Sequence, residues 1–587
     1  MAVGIVDRQK LVNIADAVRE KKGITGNMTL DAIASNITSI TASDNNAKFD
    51  FAGSGSNSSG DLLSYLTTVD LSNFDTSNYT SMDNMFKGFT SVTSLDLSGF
   101  KTSNVTSMCY MFSNCSSLTT LDLSNFDTIL VNDMGSMFNG CSSLKTLDLS
   151  KFDTSNVTSM NKMFDSCSSL TTLDLSNFDT IFVNDMNDMF YSCSSLTTLD
   201  LSGFKTSNVN DMGSMFNGCS SLKTLDLSNF DTSNVYNMGN MFTDCYSLET
   251  LDLSNWNTSN VADMYVMFSS CSSLKTLDLS NFDTSNVADI YYMFYNCSSL
   301  TSLNVSNFNT SNVTSMNKMF DSCSSLTNLD LSNWNTSKVT SMYYMFYNCS
   351  KLTNLTLGTD WASNSSLSSF DLSYSPLTRE SALDVINKLA TRNNSPVIKF
   401  SNAVGLYQSE IDVATNKGWS VSGCSVLVED PSTATVGQYA LVDGVVSKCV
   451  YVADTPQDWG QKIFASQSHI TYSNGKGVFQ WGGYGTATGI TATAIGTGLT
   501  NTNALLAMNL QSTDGTPTIW DALKEFRSKY GDRWFIASLD ESSLYIGYVY
   551  WTSSEVTSEN AYTRNTSVTA DSVNKTSTNS VYAFTYV

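Results

Sequence analysis

A unit of 26 residues, repeated without insertion, limits this chain more than any other feature. Its strand core reads Val69-Asp70-Leu71, then Leu95-Asp96-Leu97, and returns at every step to Leu355-Thr356-Leu357. Twelve such cores fit between residues 46 and 361. A typical unit reads CSSLTTLDLSNFDTSNVTSMxxMF, with three Leu, two Phe, two Met, one Val and one Cys expected to point inward. Those side chains cannot offset the ordering of a whole unit by themselves, so a lone unit stays unfolded and only stacking closes the deficit. The pattern therefore implies a solenoid: parallel β-strands at Leu-x-Leu, with M-x-x-M-F giving one short helical turn on the return side.

Composition narrows the partners and the chemistry. Charged residues are only 14% of the chain, yet Asp and Glu outnumber Lys and Arg by 54 to 31, giving a net charge of −23. No basic cluster offsets this, which argues against nucleic acid. No apolar run is long enough to span a bilayer, and the start MAVGIVDRQK leads into charged helix rather than a secretory signal. One histidine, His469, serves the whole chain, which argues against His-dependent catalysis and multi-His metal sites. No cofactor, no metal and no catalytic residue are expected.

Four segments emerge. Residues 1–45 read as two short amphipathic helices, one carrying Leu11, Ile14, Ala15 and Val18, the other Leu30, Ile33, Ile37 and Ile40. Residues 46–361 are the repeat, and 362–423 a terminal cap, with Thr378 capping a helix through Leu383, Ile386 and Leu389, and strands at VIKFS and WSVS. All five prolines fall after residue 375. Residues 424–587 form an α+β domain, with helices at 519–526 and 538–544 and strands at GVFQWGGYG, RWFIASL, YVYWTSSE, NAYTRN and VYAFTYV.

Three resemblances accompany this reading. LVNIADAVREKKGITGNMTLDAIASNITSI resembles the start of tail and fibre proteins from phages of Gram-positive bacteria. The repeat resembles the BspA-like leucine-rich repeats of bacterial surface proteins. The phrases YALVDGVVS, FQWG, RWFIASLDESSLY and YWTSSE resemble the bacterial and phage branch of the C-type lectin fold. That branch includes formylglycine-generating-like enzymes and the retroelement-diversified receptor-binding tips of phages. The resemblances imply a leucine-rich-repeat solenoid followed by a C-type-lectin-like domain.

Each repeated residue type has a bland reading and a sharper one. Cysteines recur once per unit from Cys115 to Cys349; stacked parallel thiols have poor disulfide geometry, so a reduced, buried ladder is expected. Cys424 and Cys449 could pair. A thiol reagent is expected to reach Cys109, Cys424 and Cys449 alone. Twenty-one of the 24 methionines occupy the M-x-x-M-F positions and read as core. Asp70, Asp96, Asp122, Asp148, Asp174, Asp200, Asp226, Asp252, Asp278 and Asp330 line the outward side of the strands, read as a solvated acidic face with weak divalent binding as the runner-up. Near the end, Tyr545, Tyr548, Tyr550, Trp551, Asn560, Tyr562, Arg564 and Asn565 combine rigid aromatics with adaptable polar groups. Of these, all but Trp551, the residue most expected in the core, are the candidate ligand-binding residues.

Together these readings give a phage tail receptor-binding protein or fibre, made in the host cytoplasm and carried on the virion. Residues 1–45 would join it to other tail or baseplate proteins, the rod would extend it, and the tip would contact a protein or glycan receptor on the bacterial host. A homo-oligomer is expected, with a trimer one form. A bacterial surface adhesin is the alternative. An enzyme of the formylglycine-generating type is disfavoured, because the later half of the final domain lacks the cysteine pair that such enzymes keep.

Overall fold

The computed structural model describes residues 68–469 and the strand segments 550–555, 560–564, 570–574 and 582–586, except for residues 73, 443–444 and 458–459. The expected helices in 1–45, 519–526 and 538–544, and the strands expected at GVFQWGGYG and RWFIASL, lie outside the described residues. The chain divides into two compact units: Met1–Ser375 with Lys388–Asn394, and Pro376–Asn387 with Ser395–Val587.

The first unit holds a parallel solenoid with a strict 26-residue register. One coil shows how the sequence builds it. Cys167, Leu170, Leu173, Leu175, Phe178, Val183, Met186, Met189 and Phe190 all point inward, each at most 3% exposed. In the next coil the same residue types lie on top of them. The phenylalanines make a continuous stack, Phe138 on Phe164 at 5.7 Å and Phe164 on Phe190 at 5.7 Å, with rings within 9° of parallel. Phe89, which takes the cysteine position in its coil, is buried edge-on against Phe86 at 5.7 Å.

The coil-to-coil hydrogen bonds differ from the expected twelve-strand ladder. Strands form at Thr68–Asp70 (β1), Ser94–Asp96 (β2), Thr172–Asp174 (β3), Thr198–Asp200 (β4), Thr276–Asp278 (β5), Ser302–Asn304 (β6), Asn328–Leu331 (β7) and Asn354–Leu357 (β8). They pair two by two, β1 with β2, β3 with β4, β5 with β6 and β7 with β8, each in parallel. The other four cores do not reach strand geometry. In paired and unpaired cores alike the strand Asp takes the following N–H: Asp174 Oδ1 accepts that of Ser176 at 3.0 Å and Asp122 Oδ1 that of Ser124 at 2.9 Å.

The unbroken ladder lies on the return side. Parallel bridges run Ser81 to Ser107 to Asp133 and on, coil by coil, as far as Ser341. The M-x-x-M-F segment does not form the expected helical turn. Alternate N–H groups reach the following coil, Met186 to Asp211 O at 3.0 Å, Asp188 to Gly213 O at 2.9 Å and Phe190 to Met215 O at 2.9 Å, while between them Asn187 N–H donates to Asp185 Oδ1 at 2.9 Å and Met189 N–H closes a turn onto Met186 O at 3.2 Å. Asp188 and Ser192 have left-handed φ of 54° and 55°, and their equivalents recur in the other coils. A helix keeps every N–H in its own turn; these left-handed residues turn half of them outward to the neighbour.

A buried threonine closes the remaining corner. Thr206 Oγ1 donates to Asp231 O at 2.9 Å and accepts the N–H of Asp231 at 2.8 Å, so one side chain does what a strand residue would do. Equivalent buried threonines run from Thr76 to Thr336. At the end of this unit comes Ser369–Leu372 (β9). Trp361, fully buried, exchanges backbone bonds with Lys388 and Ala390, and Arg392 reaches the carbonyls of Ala362 and Leu367.

The second unit opens on a helix at Arg379–Lys388 (α1), where Thr378 Oγ1 accepts the N–H of Ser381 at 3.2 Å, as a capping residue does. Val397–Phe400 (β10) pairs in parallel with Ser420–Ser422 (β12). Gly405–Tyr407 (β11) and the helix Gln408–Asn416 (α2) lie between them in sequence. A mixed sheet orders β11, Ser425–Val428 (β13), Tyr439–Val442 (β14), Val445–Gln457 (β15), Gly460–His469 (β16) and Tyr582–Tyr586 (β20), parallel as far as β14 and antiparallel beyond. Tyr550–Glu555 (β17), Asn560–Arg564 (β18) and Ala570–Asn574 (β19) form an antiparallel sheet of three.

Candidate recognition surfaces

The solenoid carries two exposed faces of different character. On the strand side the aspartates are exposed, as expected, but they also hold the chain. Asp122, Asp148, Asp226, Asp252 and Asp278 each accept the backbone N–H of the serine two residues on, at 2.9–3.0 Å. That bond first of all holds their carboxyls below the usual range. Each column therefore reads as a stack of Asx turns. Sequence reasoning saw the charge and missed the turn, although an Asp two residues before Ser at a strand end is its signal. Among the described residues no group of three or more His, Cys, Asp or Glu is arranged to hold a metal ion.

The return side varies. Between the buried Met and Met-Phe positions stand two residues per gap that differ from coil to coil; they are buried at Gly135, Ser136, Gly213 and Gly239 and half-buried or exposed at the other positions. The column just after the first Met runs Asn161, Asn187, Gly213 and Gly239, then turns to Tyr265, Tyr291, Asn317 and Tyr343. Beside it stand Ser214 and Asn240, then Tyr292, Lys318 and Tyr344. Further along the coil, Asn217, Thr243 and Ser269 give way to Tyr295, Asp321 and Tyr347.

These tyrosines meet. Tyr265 stacks on Tyr291 at 5.5 Å, Tyr292 lies 5.3 Å from Tyr295, Tyr344 lies 3.9 Å from Tyr343 and 5.0 Å from Tyr347, and Tyr347 reaches Tyr374 at 4.3 Å. The Lys318 ammonium joins the two clusters, 5.2 Å from the ring of Tyr292, 5.7 Å from Tyr295 and 5.9 Å from Tyr344. Tyr343 is 60% and Tyr374 49% exposed. Three of the phenols are held above their ordinary value: burial raises Tyr291, the hydrogen bond with Tyr343 raises Tyr344, and the neighbouring Tyr347 raises Tyr374. Asn317 fixes the row from below, its Oδ1 accepting the N–H of Tyr343 at 2.8 Å. A smaller departure sits at the next corner, where Leu130 and Phe182 replace the asparagine of other coils and are 48% and 56% exposed.

The thiols take no part in either surface. From Cys115 to Cys349 the ladder is buried and reduced, and each Sγ donates to a phenylalanine carbonyl one coil back, such as Cys193 to Phe164 O at 3.1 Å. Burial pushes Cys193 up to about 12. Cys424 and Cys449 are thiols and not a disulfide, and Cys449 is fully buried, which removes it from the accessible set. Cys109 is half-buried and pushed up to about 12, by burial first and then by the Asp133 and Asp83 carboxylates.

Of the candidate ligand-binding residues, Tyr545, Tyr548 and Asn565 lie outside the described residues. Tyr550 starts β17, while Asn560, Tyr562 and Arg564 occupy β18, and the register sets Tyr550 opposite Arg564. Four of the seven are thus brought into one sheet.

The repeat decides the family. Residues 65–122, 111–224, 195–302 and 272–374 match the family described as Mycoplasma protein of unknown function, DUF285, covering more than half of the chain. The chain belongs to the DUF285 family. Its DUF285 region is the BspA-like repeat, and the match ends where the coils end, at Tyr374 and its neighbours. No curated protein matches the chain. Among solved structures it is similar to the crystal structure of a TLR13–ssRNA13 complex, at 18% identity over 55% of this chain and 51% of that one, with a TM-score of 0.16. The DUF285 chain thus spans about half the length of that structure's chain.

Proposed function

We propose that this DUF285 protein is a non-catalytic receptor-binding protein that displays recognition surfaces on a repeat scaffold. A BspA-like solenoid is compatible with either a surface adhesin or a receptor-binding protein. The observation that carries the reading is the division of labour within each coil. Buried columns keep the same residue from coil to coil, whereas the outward columns of the return side vary and become aromatic in the last coils. A scaffold needs uniform packing; recognition needs a surface that differs from place to place.

The finer reading is a phage tail fibre whose receptor lies on a bacterial host. Its support is the resemblance of the first 45 residues to tail-protein starts and of the last segment to lectin-like tips. In this reading residues 1–45 bind tail or baseplate proteins, copies of the chain associate, and Tyr545, Tyr548, Tyr550, Asn560, Tyr562, Arg564 and Asn565 belong to the tip. Gold-labelled antibody against the whole chain should decorate the tails of phage particles. Label on the walls of uninfected cells, with bare tails, would establish the adhesin instead.

A further inference from the structure

We propose that the tyrosine row on the return side of the last coils is a binding site for a neutral polysaccharide, separate from the tip and resting on the recognition reading above. Three observations lead there. The first is the shape of the surface. Tyr265 stacks on Tyr291 one coil on, and beyond them the Tyr292–Tyr295 and Tyr343–Tyr344–Tyr347 clusters stand two coils apart with Lys318 between, so the patch runs along the stack, as an extended polymer of sugar rings does. The C–H face of a pyranose packs on a phenol ring of similar size, and its hydroxyls lie at the rim.

The second is what surrounds the rings. Lys318 stands among them, against the rings of Tyr292, Tyr295 and Tyr344, and the amides of Asn317 and Asn348 belong to the same and the next coil. In this part of the solenoid the exposed large hydrophobic side chains, Tyr343 and Tyr374, are both phenols. A protein partner would have to desolvate Lys318 at the centre of the patch, whereas the core of a protein interface is depleted of charge. A hydroxylated ligand leaves the ammonium hydrogen-bonded.

The third is charge. The chain carries −23, and residues 262–374, which bear the row, hold eight Asp against four Lys, so their net negative field opposes an anionic polymer. That leaves neutral glycans.

The test uses the full chain on an array of neutral and acidic oligosaccharides built from hexose and N-acetylhexosamine units. The variant carries Tyr292→Asn, Tyr343→Asn, Tyr344→Asn and Tyr347→Asn. Other coils already hold asparagine in these columns, at Asn240, Asn187, Asn240 and Asn217 respectively, so the fold tolerates each change. Neutral glycans should bind, and the variant should lose at least tenfold in affinity with no fall in its melting temperature. Binding of whole cells through this site should fall after periodate treatment of the cells and survive protease treatment. No binding to neutral glycans, binding to acidic ones alone, an unaffected variant, or loss after protease alone would each overturn the site. Tail labelling with no glycan binding would remove this site and leave the tail reading standing; glycan binding with bare tails would leave this site and remove the tail reading.

Discussion

At the residue scale the repeat asks each polar type for one specific bond, and this explains a surface so rich in Ser, Thr and Asn. The buried threonines were the least legible, because in sequence they look like ordinary surface residues. Thr206 satisfies a carbonyl and an N–H of the next coil at once, so Thr206→Val strands both and should cost about 1–3 kcal/mol in urea unfolding. Thr206→Ser keeps the hydroxyl and should cost less than half as much. Equal losses would show that volume, not bonding, matters at this corner. The left-handed positions act in the opposite direction. Val266, with φ of 59°, carries a β-branched side chain where the conformation opposes it, so Val266→Asn should stabilise by about 1 kcal/mol. The thiol ladder gives a chemical check on the inward assignment: in the native protein a maleimide should reach Cys424 and, slowly, Cys109, and the others only in denaturant. The cysteine, methionine and phenylalanine columns were all readable from the 26-residue step, since burial follows directly from periodicity.

At the scale of the element, the strand cores were found and their pairing was not. Periodicity locates every Leu-x-Leu core alike, and the flanking Asp makes the same bond in paired and unpaired cores, so nothing in the repeat distinguishes the cores that pair. Nor does M-x-x-M-F distinguish a helical turn from a left-handed turn ladder, because both place the Met and Phe side chains inward. The two sets of aspartates differ in environment, and this gives the coils a signed pH response. Burial raises Asp165, Asp185, Asp289 and Asp321, so ionising them opposes folding, and protonating them as pH falls from neutral should add stability. The strand-side Asp122, Asp148, Asp174, Asp226, Asp252 and Asp278 are lowered, so the stability they contribute is present above the ordinary carboxyl value and lost as pH falls through their folded values. The melting temperature should therefore rise on mild acidification, then drop below about pH 4. Asp185→Asn should remove part of the rise and leave the drop. A monotonic fall from neutral pH would contradict this assignment.

At the scale of the molecule, the solenoid and its family were legible because one period governs more than half of the chain. The tyrosine row was not, because averaging the repeats into a consensus hides the columns that vary. Only coil-by-coil comparison separates the residues that build the stack from those that mark a place on it. On this view the early coils space the recognition surfaces and the late coils, with the residues beyond them, do the reading. The most direct measurement removes two whole coils in register, residues 134–185, joining Asp133 to Met186 so that every column continues. Binding of the shortened chain to cells is then compared with that of the full chain, with cooperative unfolding as the control. Binding within about twofold of the full chain, a difference of about 0.4 kcal/mol, is the expected result. A folded product that no longer binds would place recognition in the early coils and contradict the division between spacer and reader.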